Sequence, residues 1–156
     1  MDAAQIDKAL ANLAGIEKGL AKIYLFLAER QKFSKPVQKF WRTLHEEELK
    51  HEALFQELRR AFQANPQALE ITKLDQERLR EFVGKVNALL DTVKSPDLSE
   101  AAAYSIGAKI EAEFDEGDFF RKIILHDEKL RAKVRNVAND CKRHSAVLVA
   151  YTRGAR

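Results

Sequence analysis

Residues 34–62 read SKPVQKFWRTLHEEELKHEALFQELRRAF, and the spacing within them decides the fold. Val37, Phe40, Leu44, Phe55, Leu58 and Phe62 recur at steps of three and four, with Glu48 and His51 filling the same row between Leu44 and Phe55. That spacing lines one face of an α-helix. Ser34 can cap the helix, Pro36 sits in its first turn, and Asn65-Pro66 breaks it. A glutamate and a histidine inside an apolar stripe are costly to bury unless a partner or a cation compensates them.

Three further segments repeat the design. From Ala3 to about Arg30, with Asp2 as N-cap, the row is Ile6, Leu10, Leu13, Glu17, Leu20, Tyr24, Leu27. After the punctuation of residues 95–100 (SPDLSE), a segment to about Leu125 carries Ala103, Ile106, Ile110, Glu113, Gly117, Phe120, Ile124. After His126-Asp127 comes Leu130, Val134, Val137, Cys141, His144, Leu148, Tyr151. Residues 67–95 form a connection, with a helix expected over 75–93 because Leu79, Phe82, Val86 and Leu89 or Leu90 share a face. It is long enough to return the chain along a bundle. The expectation is one all-α domain over residues 1–156. Helices of about 25 residues span roughly 40 Å. Their polar interruptions fall near mid-length, where antiparallel helices meet in one layer.

Composition excludes several classes. The net charge is +3, with 27 Lys and Arg against 24 Asp and Glu spread along the chain. This describes a solvated mixed surface and no nucleic-acid stripe. The start MDAAQIDKAL has no apolar core of a signal peptide, and no stretch approaches a membrane span. One cysteine precludes an internal disulfide. A cytoplasmic protein is expected.

The interruptions suit metal chemistry. Two ions about 3.5–4 Å apart need anionic oxygens to screen their repulsion. Carboxylates do this because one group can bridge both ions, and imidazoles complete each shell. Glu48-x-x-His51 directs a carboxylate and a ring nitrogen from one helix face. Glu17 and Glu113 would each add a terminal carboxylate, the row in the third segment selecting Glu113 over Glu111. Glu47 also lies one turn before His51, so either it or Glu48 can be the inward acid. Inward glutamates with Glu-x-x-His steps form the ligand set of carboxylate-bridged di-iron bundles.

These stretches carry a family resemblance. Ala14-Gly15-Ile16-Glu17 with Tyr24-Leu25-Phe26-Leu27-Ala28, Leu44-His45-Glu46-Glu47-Glu48-Leu49-Lys50-His51, Ile110-Glu111-Ala112-Glu113 with Phe119-Phe120-Arg121, and Val137-Ala138-Asn139-Asp140-Cys141-Lys142-Arg143-His144 resemble the ferritin-like rubrerythrin group. The resemblance implies a four-helix bundle with a long crossover containing an additional helix. It implies two irons held by Glu17, Glu48, His51, Glu113 and His144. The family's activities are peroxide reduction, oxygen reduction and ferrous-ion oxidation. Cys141 departs from the pattern, standing where a bridging glutamate is expected, with Asp140 as a short-stemmed substitute. The site would then hold its second ion weakly or hold one ion, and a thiolate suits zinc as well as iron. The family's Cys-x-x-Cys rubredoxin module is absent, so an electron donor would be a separate protein. Bacterioferritin-like subunits ligate haem through Met, and Met1 is the sole methionine here, so haem is not expected. Tyr24 is either a core aromatic or, as the resemblance favours, a hydrogen-bond donor to a metal carboxylate. Gly117 would either open room beside the metals or permit close packing. A homodimer fits the family pattern. The competing readings are a one-ion binding protein and a metal-free helical bundle.

Overall fold

A computed structural model of the chain describes residues 1–72, 74–114 and 116–154, without the side chains of 116–118 and 153–154. The described chain is all-α apart from one short β-ribbon. In order it forms α1 (Ala3–Ala28), α2 (Lys35–Ala64), β1 (Leu69–Ile71), α3 (Gln76–Val93), α4 (Glu100–Glu113), α5 (Glu116–Arg121), β2 (Ile123–Leu125) and α6 (Glu128–Gly154). No helix is long and apolar enough to cross a membrane among the described residues.

α1 is the central element. Apolar residues occupy more than one of its faces, and more than half of its 26 residues are buried. It packs against α2 on one side and α3 on another. Asp2 caps its start, its side chain accepting from the Gln5 N–H while Gln5 returns the bond to the Asp2 N–H. Asp7 on α1 and Arg59 on α2 form a two-pronged ion pair, both contacts at 2.8 Å. At the other end, Arg30 donates to the carbonyls of Val93 and Ser95. That ties the α1–α2 turn to the end of α3. α4 pairs with α6, and α6 also touches α2 and α5. Lys133 on α6 meets Glu57 on α2 at 2.7 Å.

The expected helix from residue 100 to Leu125 is three elements. α4 ends at Glu113, and Phe114 leaves the helical region at φ −97°, ψ 82°. The sequence of residues 111–118, EAEFDEGD, crowds acids within a turn, which disfavours an unbroken helix there. Ile123-Ile124-Leu125 then goes to a strand, as β-branched residues favour. It pairs antiparallel with β1 in the register Leu69↔Leu125, Glu70↔Ile124, Ile71↔Ile123. Leu69, Ile71 and Leu125 are buried beneath the ribbon. The expected role of Gly117 lies outside the described side chains.

Two close approaches depend on glycine. A Cβ at Gly19 on α1 would collide with Val86 of α3. One at Gly107 on α4 would lie 2.9 Å from the edge of the Trp41 ring and 3.1 Å from Leu148. Trp41 and Leu148 are both 0 % exposed, so neither has room to yield. Gly107→Ala should therefore destabilise the chain by about 1–2 kcal/mol, overpacking outweighing the gain in helix propensity. Gly84 on α3 faces open space, and Gly84→Ala should stabilise by about 0.5–1 kcal/mol. Urea midpoints of both variants, followed by fluorescence of the single tryptophan, check the opposite signs.

Candidate metal centre

Only four polar or charged residues are fully buried among the described residues, and they are Glu17, Glu48, His51 and His144. Each is set there by the apolar row it interrupts. Leu13, Ile16 and Leu20 carry Glu17 inward on α1. Leu44, Leu54 and Phe55 do the same for Glu48 and His51 on α2. Val137 and Leu148 flank His144 on α6. Burying the apolar rows forces the acids and imidazoles in with them.

The four meet, with Glu111 of α4 as a fifth. Glu17, Glu48 and His51 each bring a ligand atom within 4.8 Å of the others, and so do Glu48, Glu111 and His144. Glu48 belongs to both trios. Its Oε2 lies 2.9 Å from His51 Nδ1, and its Oε1 lies 3.2 Å from His144 Nδ1. Glu17 Oε2 is 3.8 Å from His51 Nδ1, and Glu111 Oε1 is 4.0 Å from His144 Nδ1. The two imidazoles stack at 5.6 Å between centroids.

Polar neighbours orient these groups. His144 Nε2 contacts Glu47 Oε2 at 2.6 Å, and Arg143 donates to the other Glu47 oxygen at 2.6 Å. A proton on Nε2 is thereby fixed, and Nδ1 turns toward Glu48 and Glu111. A carboxylate behind a ligating histidine is the usual device for setting its tautomer. The Tyr24 hydroxyl donates to Glu111 Oε1 at 2.7 Å. Glu47 and Glu48 thus divide the work: Glu48 faces inward with His51, and Glu47 backs His144.

Electrostatics makes the cluster unstable as bare acids. Two carboxylates at this separation repel by about 3–4 kcal/mol even at an effective dielectric of about 20. Burial disfavours the charged form of Glu48, but His144 and His51 beside it overcome that and hold its carboxyl well below the usual range. Burial likewise disfavours the His144 imidazolium, and Glu48, Glu111 and Glu47 override it, pushing the ring up to about 9. A proton on His144 is one compensating cation; a metal ion is another.

Two expected ligands, Glu113 and Cys141, are in neither trio. Glu113 does not reach the cluster: its side chain is 37 % exposed and pairs with Lys85 of α3 at 3.1 Å. Glu111 takes the inward position instead. The row through Ile106 and Glu113 requires a helix continuing past 117, but α4 ends at Glu113. The row Tyr104, Gly107, Glu111, equally at steps of three and four, leads to the acid that does face inward; its Gly107 hides the pattern by contributing no apolar side chain. Cys141 is half-buried against the core and belongs to neither trio. Asp140 turns to Arg143 at 3.4 Å. No family model, no curated protein and no solved structure matches the chain.

A pH dependence follows for metal-free protein. The folded pKa of His144 exceeds its unfolded value of about 6.5, so its contribution is fully present below pH 6.5 and is lost as pH rises through about 9. The loss should be on the order of 3 kcal/mol, counted once for the His144–Glu48 pair. Urea unfolding in chelator from pH 6 to 10 should show this decline. His144→Gln should flatten it; an unchanged slope in that variant would contradict the assignment.

Proposed function

We propose that the chain is a non-haem metal protein whose centre takes two divalent ions, iron in the first instance, between Glu17, Glu48, His51, Glu111 and His144. α1, α2, α4 and α6 would be the four members of a ferritin-like bundle, with α3 in the crossover. The observation that carries this reading is the shared position of Glu48. One oxygen faces His51 and the other faces His144. So placed, Glu48 would help to hold both ions, and Glu17 and Glu111 would add one carboxylate each.

The donors are carboxylate oxygens and imidazole nitrogens, a set that suits iron. Cys141 is in neither trio, so the ligands named here are oxygen and nitrogen donors. When bound, a pair of such ions would supply electrons for reducing peroxide or oxygen, or would accept them in oxidising ferrous ion. The residues around them have separable tasks. Glu47 and Arg143 hold His144 in the ligating tautomer, Tyr24 holds Glu111, and the surrounding apolar rows exclude water. Regeneration would need electrons from a separate donor, since the chain carries no Cys-x-x-Cys pair.

A second reading, one ion per chain without turnover, is favoured by the small carboxylate count. Two trios with Glu48 in common supply only three acids for two ions.

Elemental analysis after anaerobic dialysis against ferrous ion separates these readings. We expect two ions per chain in the native protein and in Glu113→Gln, one in Glu111→Gln, and none retained in Glu48→Gln. One ion in the native chain supports the second reading; none overturns both. With two ions bound, consumption of hydrogen peroxide with two electrons per molecule identifies the peroxidase version.

A further inference from the structure

A continuous file of oxidisable aromatic rings leads from the candidate centre to the surface. Tyr24, bonded to Glu111, stacks on Trp41 with centroids 5.4 Å apart. Trp41 meets Tyr104 at 5.3 Å, and Tyr104 stacks on Tyr151 at 4.5 Å with planes 3° apart. The first three rings are buried, while Tyr151 is 46 % exposed. They come from α1, α2, α4 and α6 in turn, so the whole fold is needed to align them. All three tyrosines and the only tryptophan of the chain are in this one file.

We propose that these four rings form a one-electron relay between Tyr151 at the surface and the metal centre. This rests on the metal reading above. Tyrosine and tryptophan are the aromatic side chains that give up an electron most readily, and tunnelling falls steeply with the gap between ring edges. Rings in contact therefore carry an electron in short steps where one long step would fail. Phe40 packs against Trp41, Tyr104 and Tyr151; its ring is too hard to oxidise to divert the path, and it fills the space around it.

The proton inventory closes at each end. When Tyr24 gives up an electron toward the centre, its phenolic proton would move to Glu111 Oε1, 2.7 Å away. Trp41 then reduces the Tyr24 radical, which takes that proton back. The buried Nε1–H of Trp41 meets no acceptor among the described residues. Its radical cation thus retains the proton and passes the hole on. The stacked Tyr104–Tyr151 pair, its rings 4.5 Å apart, refills Trp41 as one unit: the electron is drawn from both rings together, Tyr104 keeps its proton, and Tyr151 releases one phenolic proton to water. A one-electron reductant in solution, of the ene-diol class, restores Tyr151, which regains a proton from water. Two such passes supply the two electrons that, with two protons, convert hydrogen peroxide to two waters.

The test has a metal-free arm and a loaded arm. In metal-free protein, a flash at the red edge of the indole band oxidises Trp41 alone. With a nitroso spin trap present, peptide mass mapping should find the adduct on Tyr151 in the native chain. It should be lost in Tyr104→Phe, which keeps the packing and removes the redox step. An adduct on Tyr151 undiminished in Tyr104→Phe overturns the relay. In ferrous-loaded protein given peroxide, Tyr104→Phe should bind metal normally, lose the Tyr151 adduct and lose most ascorbate-dependent turnover. Full metal content and peroxide consumption with ascorbate turnover unaffected by Tyr104→Phe rejects the relay and leaves the metal reading intact. Failure to bind iron rejects the metal reading, while the flash arm still decides whether the rings conduct.

Discussion

Everything in this fold is arranged around the burial of like charges at one depth. Glu17, Glu48 and Glu111 come from three helices and meet two imidazoles in a layer from which water is excluded. Acids so placed repel, and the apolar rows around them supply the opposing driving force. Each buried leucine or phenylalanine contributes about 1.5–3 kcal/mol. The core can thus hold the helices together at a point where the polar groups alone would part them. Positive charge in their midst offsets the repulsion, and a protonated His144 beside Glu48, Glu111 and Glu47 supplies it.

The polar groups behind the cluster show that its geometry is built and not incidental. Arg143 holds Glu47, Glu47 holds His144, and His144 presents Nδ1 to the carboxylates. On the opposite side Tyr24 performs the same service for Glu111. Tyr24 also begins the file of stacked rings, so the same side chain that positions an acid touches the path toward solvent. Gly107 belongs to this economy of space: its missing side chain is what lets Trp41 lie flat between α1 and α4.

Much of this was legible in the sequence because burial periodicity is a strong signal. Glu17, Glu48, His51 and His144 were identified from the rows they interrupt, and they are the four fully buried polar residues described. The row leaves Tyr24 open between a core aromatic and a donor to a carboxylate, and its buried ring does both, donating to Glu111. Glu111 was missed for two physical reasons. Gly107 leaves a gap in the row that leads to it, and the competing row requires a helix that continues past 117, whereas α4 ends at Glu113. The β-ribbon was invisible because each of its strands has three residues, too few for alternation to show, and its pairing joins segments more than fifty residues apart. Cys141 lies on the expected face of α6, yet it packs against the core without joining either trio.

Thermal unfolding of anaerobic protein, with ferrous ion and then with excess chelator, tests the central claim most directly. An ion bound by the folded state alone, at a hundred times its dissociation constant, stabilises by about 2.7 kcal/mol. The account predicts a midpoint that rises with ferrous ion, returns on chelation, and does not move in Glu48→Gln. A native midpoint that is the same with ferrous ion and with chelator would contradict it.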